Sequence, residues 1–313
     1  MMRLNKIKLD QAVKFIKEHA EGPDKALFSY HFERGGIERV VEELSAFQNE
    51  DGGFGALEYD IDMPDSSAIA TVRAFQYFIQ TGAGSDQNAV QDGIRYFTET
   101  CCRNLLMWHA VPPRIREVPH APWWSYTQLS DMELSWEQKL ARYSPNTNVE
   151  VVAYLLRYRD LVPDTFPLEA CARIAVEKLA HLPDIEMHEF SCYLQLYEAL
   201  DDEQKRFTAK KLLASVQHVI EPDEGKWSGY AAQPITFVES PSSLVAKCMR
   251  EDVERNLDYL IRIQNEDGSW SPNWSWGQPS YEQAWKRAKR KWQGYITVQN
   301  LIKLRAFDRI DGI

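Results

Sequence analysis

The sequence predicts an all-α fold: a single domain over residues 1–313, in which six helical hairpins close into an (α/α)6 toroid. Three observations predict it. Apolar residues recur at helical spacing through most of the chain, with almost no strand-like alternation. Short connections alternate with long ones, so the helices pair in series. One turn is also written twice: "FQNEDGGF" at Phe47–Phe54 returns as "IQNEDGSW" at Ile263–Trp270, with Gln-Asn-Glu-Asp-Gly identical.

The spacing predicts helices over 8–20, 25–33, 36–48, 65–82, 86–101, 146–161, 166–180, 188–200, 202–217, 241–249, 251–264 and 292–306. Asp24, Asp65, Asn146 and Ser242 are candidate N-caps, because a short side-chain oxygen accepts from free first-turn N–H groups. Gly22, Gly35, Gly82 and Pro163 are candidate stops. Short turns join 65–82 to 86–101, 146–161 to 166–180, 188–200 to 202–217, and 241–249 to 251–264. A degraded third copy of the turn is "PDEGKW", Pro222–Trp227. Similar helix openings follow at Pro64 ("PDSSAIATVRAF"), Pro145 ("PNTNVEVVAYLL") and Pro241 ("PSSLVAK"). Their separations suit two hairpins of about 40–50 residues each.

Composition excludes several classes. A net charge of −10 argues against nucleic acid, since phosphate binding needs a basic surface. No apolar run approaches the ~18 residues of a membrane span. The N-terminal "MMRLNKIKLDQAVKFIKEHAEG" reads as an amphipathic helix without the apolar core of a signal peptide. Cys101, Cys102, Cys171, Cys192 and Cys248 show no CxxC spacing, which points to a reduced, cytoplasmic protein. Ten Trp, fourteen Tyr and thirteen Phe suit a large core or a ring-lined cavity.

The repeated turn resembles the QW motif of squalene–hopene and related terpenoid cyclases, which recurs in protein prenyltransferase β subunits. The resemblance covers most of the chain at the level of repeats, and it implies the toroid more specifically than any reaction. Physically, the turn reads as scaffold. Gly52 and Gly268 permit positive φ past a helix end. Asp51 and Asp267 bind nearby N–H groups. Gln48 and Gln264 reach a neighbouring hairpin, and Phe54 and Trp270 pack against it.

Asp60, Asp62 and Asp65 are the candidate catalytic residues. In class II terpenoid cyclases a DxDD motif lies in a similar place, and its central acid protonates an alkene or epoxide. Clustered carboxylates raise one another's pKa. Aligned on the helix start, only Asp65 falls on an acid position, with Met63 and Ser66 at the others. The plainer reading is an N-cap at Asp65 with solvated loop acids. A prenyltransferase-like zinc site is incomplete. Phe190 stands where its Asp-x-Cys would place Asp, Cys192 reads as a buried thiol, and His188 and His218 do not close the ligand set. The zinc pattern of lanthionine cyclases is also missing. No metal or other cofactor is implied.

Two long loops, 103–145 and 271–291, are expected at one mouth of the barrel. The candidate substrate-binding residues are Trp123, Trp124, Tyr126, Trp227, Tyr230, Trp274, Trp276 and His120, with His109 and Tyr281 nearby. Such rings stabilise a carbocation or stack on a sugar; otherwise they plug the ring. The basic run Lys286, Arg287, Lys289, Arg290 and Lys291 suits a diphosphate or a solvated helix face. Three functions stay open: an isoprenoid-handling enzyme with acid-initiated cyclisation, a carbohydrate-active enzyme with paired carboxylates, and a non-catalytic toroid that binds an apolar metabolite or a partner protein.

Overall fold

The computed structural model describes residues 1–129 and 133–312. Among them are twelve α-helices and no strands: α1 (Lys6–His19), α2 (Gly22–Phe32), α3 (Ile37–Ser45), α4 (Ala68–Thr81), α5 (Asn88–Thr100), α6 (Trp136–Arg142), α7 (Asn148–Arg157), α8 (Leu168–His181), α9 (Met187–Ala199), α10 (Asp202–Val219), α11 (Arg250–Arg262) and α12 (Glu282–Ala306). The all-α expectation therefore holds. None of these helices is long and apolar enough to cross a membrane.

The chain divides into two compact units, Met1–Glu43 with Ser215–Ile313, and Leu44–Ala214. In the first unit, α1 and α2 pack on α12, and α11 packs on the 3-10 turns Pro234–Phe237 and Ala246–Met249. Arg309 is buried there between Glu254 and Asp258 and also donates to the Met2 carbonyl, tying the two chain ends together. In the second unit, α7 packs on α9, α8, α4 and α5, while α4 also packs on α5.

Several local expectations are corrected. The stretch 241–249 holds no α-helix. Ser243 Oγ accepts from the Glu239 and Ser240 N–H groups, and Ser240 Oγ accepts from Ser242 N–H. Such side-chain bonds compete with helical ones. Helix α12 begins at Glu282, inside the stretch expected to be loop. Residues 282–291 are rich in strong helix formers, and Ala284, Ala288 and Trp292 bury one face at four-residue spacing. Helix α6 also lies inside an expected loop, started by a capping box of Ser135 and Gln138. Ser67, not Asp65, caps α4, accepting from Ala70 N–H at 3.2 Å. Asp24 is buried within α2, and the residue preceding α7 is Thr147 rather than Asn146. Gly22 opens α2 instead of closing α1, whereas Gly82 does end α4 with a φ of 72°.

The two copies of the turn make matching bonds, one in each unit. Gln48 Nε2 donates to the Gly52 carbonyl and to Ala89 in α5, both at 2.9 Å. Gln264 Nε2 donates to the Gly268 carbonyl at 2.9 Å and to Lys8 in α1 at 3.1 Å. Asp51 Oδ1 accepts from Gly53 N–H, and Asp267 Oδ1 from Ser269 N–H. The N–H of Phe54 donates to Thr71 Oγ1 in α4, and that of Trp270 to Thr297 Oγ1 in α12. Gly52 and Gly268 have φ of 87° and 88°, and a Cβ at either would lie 2.3 Å from a backbone atom of Asp92 or Gln11. Only glycine fits both demands. The third copy keeps part of this design: Asp223 accepts from Gly225 N–H, and Trp227 is fully buried.

Candidate functional site

The three predicted acids occupy different surroundings, all in the second unit. Asp60 is buried, Asp62 is exposed, and Asp65 is half-buried beside Arg114, whose Nη1 lies 2.8 and 3.1 Å from its carboxylate oxygens. The stretch 112–126 lies across them. Ala121 N–H donates to the Asp60 carbonyl and Asp62 N–H to the Pro119 carbonyl, both at 2.9 Å. Under this strap Ile61, Met63, Val111 and Ile115 form a small core, against which Trp124 and Tyr126 pack. Tyr126 also stacks on His109, with centroids 4.9 Å apart, and lies under Arg116. Trp123 stays 47% exposed. His120 Nδ1 lies 2.7 Å from the Val118 carbonyl, so the ring is part of the strap.

The remaining predicted aromatics belong to the first unit. Trp227 donates its indole N–H to the Glu221 carbonyl at 2.6 Å, so this residue packs as scaffold. Tyr230 is exposed. Trp274 meets Trp292 edge to face at 5.2 Å, and buried Trp276 lies 5.8 Å from Trp285. Much of the basic run is already matched. Lys286 pairs with Glu282, Lys291 with Glu21 and Arg290 with Asp267, and Arg290 also covers the Phe15 ring. These contacts describe a solvated helix face. Among the described residues no group of three or more His, Cys, Asp or Glu is placed to hold a metal ion.

The sequence did not disclose a polar chain in the second unit that runs between two buried carboxyls. It begins at Glu58, two residues before Asp60. Arg73 and Gln76 stand three apart on α4 and so share a face. Glu150 and Tyr154 stand four apart on α7, and Cys192 comes from α9. Arg73 Nη2 lies 3.3 Å from Glu58 Oε2, and Arg73 Nη1 donates to Gln76 Oε1 at 2.8 Å. Gln76 Nε2 donates to Glu150 Oε1 at 2.9 Å, the same oxygen that accepts from Tyr154 Oη at 2.5 Å. Cys192 Sγ lies 3.8 Å from Glu150 Oε2. Side chains from a loop and three helices thus join two carboxyls through hydrogen bonds. The Tyr154 ring stacks on Phe75, which also meets Phe78, Phe97 and Tyr158.

Burial sets the electrostatics. Glu58 is 5% exposed, and desolvation pushes its carboxyl up to about 7. Arg73 opposes that rise, and the neighbouring Asp60 charge adds to it. Burial also raises Glu150, against bonds from Tyr154 and Gln76. The Cys192 thiol is pushed well up by burial and then by Glu150, so it stays a neutral donor rather than a nucleophile. Glu58 can therefore hold a proton near neutral pH at a buried position. One signal was available in the sequence: Arg73 and Gln76 interrupt the mostly apolar "AIATVRAFQYFI", and a charge on such a helix calls for a partner. No protein-family model matches the chain, and no curated protein matches it.

Proposed function

We propose that the chain is an isoprenoid-handling enzyme that starts its reaction by protonating its substrate, in the manner of class II terpenoid cyclases. The observation that carries this proposal is the chain Glu58–Arg73–Gln76–Glu150, which joins two buried carboxyls, one of them bonded to Tyr154 in an aromatic cluster. Glu58 is the proposed acid, because it is close to half-protonated at neutral pH. Asp60 acts with it by opposing its ionisation. Asp62 and Asp65, exposed or paired with Arg114, hold the strap in this scheme. Arg73 and Gln76 orient the two carboxyls, and Tyr154 steadies Glu150. Rings such as Phe75 and Tyr154 suit a cationic intermediate.

The isoprenoid class itself rests on the QW-like turns, as does the finer fold proposal of six hairpins closed into an (α/α)6 toroid. The five cysteines are free thiols, which supports a cytoplasmic location. A second possibility, a non-catalytic protein that binds an apolar molecule, is favoured by the depth of burial of Glu58 and Glu150.

The test is a thermal-shift screen with squalene, isoprenoid diphosphates and oligosaccharides, followed by turnover assays on the compounds that bind. Acid catalysis predicts that Glu58→Gln abolishes turnover while Asp62→Asn retains it. Full turnover by Glu58→Gln rules the acid out. Stabilisation by oligosaccharides alone moves the substrate class to carbohydrate.

A further inference from the structure

The proposed acid is shut away from any substrate. Residues 57–61 are buried, and the Glu58 carboxyl is held by Arg73 and by the Asp60 N–H, 3.3 Å from its Oε1. Helix α4 cannot give way, because Val72, Ala74 and Phe75 beside Arg73 lie in the core. The strap is the segment that lies on residues 60–62. Ile61 faces His120 in an antiparallel bridge, closed by Asp62 N–H on the Pro119 carbonyl and Ala121 N–H on the Asp60 carbonyl. Asp60 thus links strap and acid: its N–H donates to Glu58, and its carbonyl accepts from Ala121.

The strap is built to move as one body. Its two ends meet, with His109 Nδ1 3.1 Å from the Thr127 carbonyl and Tyr126 stacked on the His109 ring. Between them Val111, Ile115, Val118, Trp124 and Tyr126 gather with Ile61 and Met63 in a small cluster of their own. A closed neck and self-packed side chains are the marks of an Ω-loop, and satellite clusters of this kind lie under long loops. The chain before the neck is fixed. Trp108 is buried, its backbone N–H donating to Asn148 Oδ1 at 2.7 Å and its indole N–H to the Phe97 carbonyl at 2.6 Å. Closure draws on the two bridge bonds and on the largely exposed pair of Arg114 with Asp65, a kind of pair that is weak in water. Among the described residues the buried indole N–H of Trp124 also meets no acceptor, a cost of the closed state that opening to water relieves.

We propose that residues 112–126 are a lid that swings about the His109–Thr127 neck and, when open, exposes the Glu58 carboxyl. Its use in catalysis, admitting the substrate and then excluding water, rests on the reading of Glu58 as the acid. The opening itself does not.

The test begins with amide hydrogen exchange in the full chain, read residue by residue. A lid predicts that the Asp62 and Ala121 amides exchange together, about tenfold or more faster than the core amides of α4. Ile115→Ala, which weakens the strap's own cluster, speeds both by about a further tenfold or more and leaves α4 unchanged. Protection of the bridge amides equal to that of α4, or an Ile115→Ala effect spread over both, overturns the lid. Ile61→Cys with His120→Cys then locks it, since facing residues of an antiparallel bridge lie within reach of a disulfide. Labelling with a water-soluble carbodiimide, read by peptide mass, modifies Glu58 in the reduced form, and oxidation cuts that modification about tenfold or more. Equal labelling of the two forms, or none in either, overturns the strap's cover over Glu58. If oxidation blocks the labelling while Glu58→Gln keeps full turnover, the lid stands and the acid reading fails.

Discussion

Each of the two turns presses a glutamine amide onto the backbone of a neighbouring helix and ties an aromatic N–H to a threonine one helix on. Beyond those threonines the copies part. Counting onward from Thr71 and Thr297, Arg73 and Gln76 of α4 correspond to Gln299 and Ile302 of α12. The loop after the first turn delivers Glu58 to Arg73, with the Asp60 N–H donating to Glu58, whereas the loop after the second delivers Trp274 and Trp276 to other tryptophans. One frame therefore carries a charged chain with buried carboxyls in one unit and an aromatic cluster in the other. The repeated residues are those that the frame needs, and the chemistry lies in the residues that differ.

The harshest way to break the comparison is to attack what the copies share. Gly52→Ala and Gly268→Ala each force a Cβ within 2.3 Å of backbone at positive φ. Each is expected to cost about 3–5 kcal/mol, from strain together with a clash that backbone cannot relieve cheaply. Urea denaturation of the two variants checks whether the copies are equally indispensable.

What the copies do not share is expected to appear in pH dependence. Glu58 is raised from 4.5 to about 7, so the native state holds its proton more tightly than the unfolded chain does. Its stabilisation is complete below about pH 4.5 and is lost as pH rises through about 7, a change of about 3 kcal/mol. Glu150 is shifted in the same direction. Denaturation at pH 5 and pH 8 should show this loss in the wild type and much less of it in Glu58→Gln. Arg73→Met should deepen the loss between pH 5 and pH 8, because without the guanidinium the native state holds the Glu58 proton still more tightly.

Gln48→Ala and Gln264→Ala sharpen the shared half. Each removes bonds to two carbonyls and should cost about 1–2 kcal/mol, alike in the two copies. The smallest effect expected is at Asp65. Its pair with Arg114 is largely exposed, so Asp65→Asn should change stability by less than about 1 kcal/mol, and less still in high salt.

The sequence showed the scaffold more readily than the site, for physical reasons. Helical periodicity is local, so most helices were legible, and the positive φ of Gly52 and Gly268 follows from the turn itself. Short-range competition hid other features, as with the serines that keep 241–249 out of a helix, and a polar start hid the first turns of α12. The acid cluster at Asp60–Asp65 was legible as spacing but not as burial. Glu58 and Glu150, far apart in the chain, meet only through Arg73 and Gln76, and no spacing rule connects them.

The central claim is that the second unit holds a carboxyl that keeps its proton near neutral pH. Carbon-13 NMR titration of glutamate side chains, compared between wild type and Glu58→Gln, measures this directly. One carboxyl titrating near pH 7, absent from the variant, is the predicted result. A full set of glutamates titrating at ordinary values of about 4–5 would contradict it.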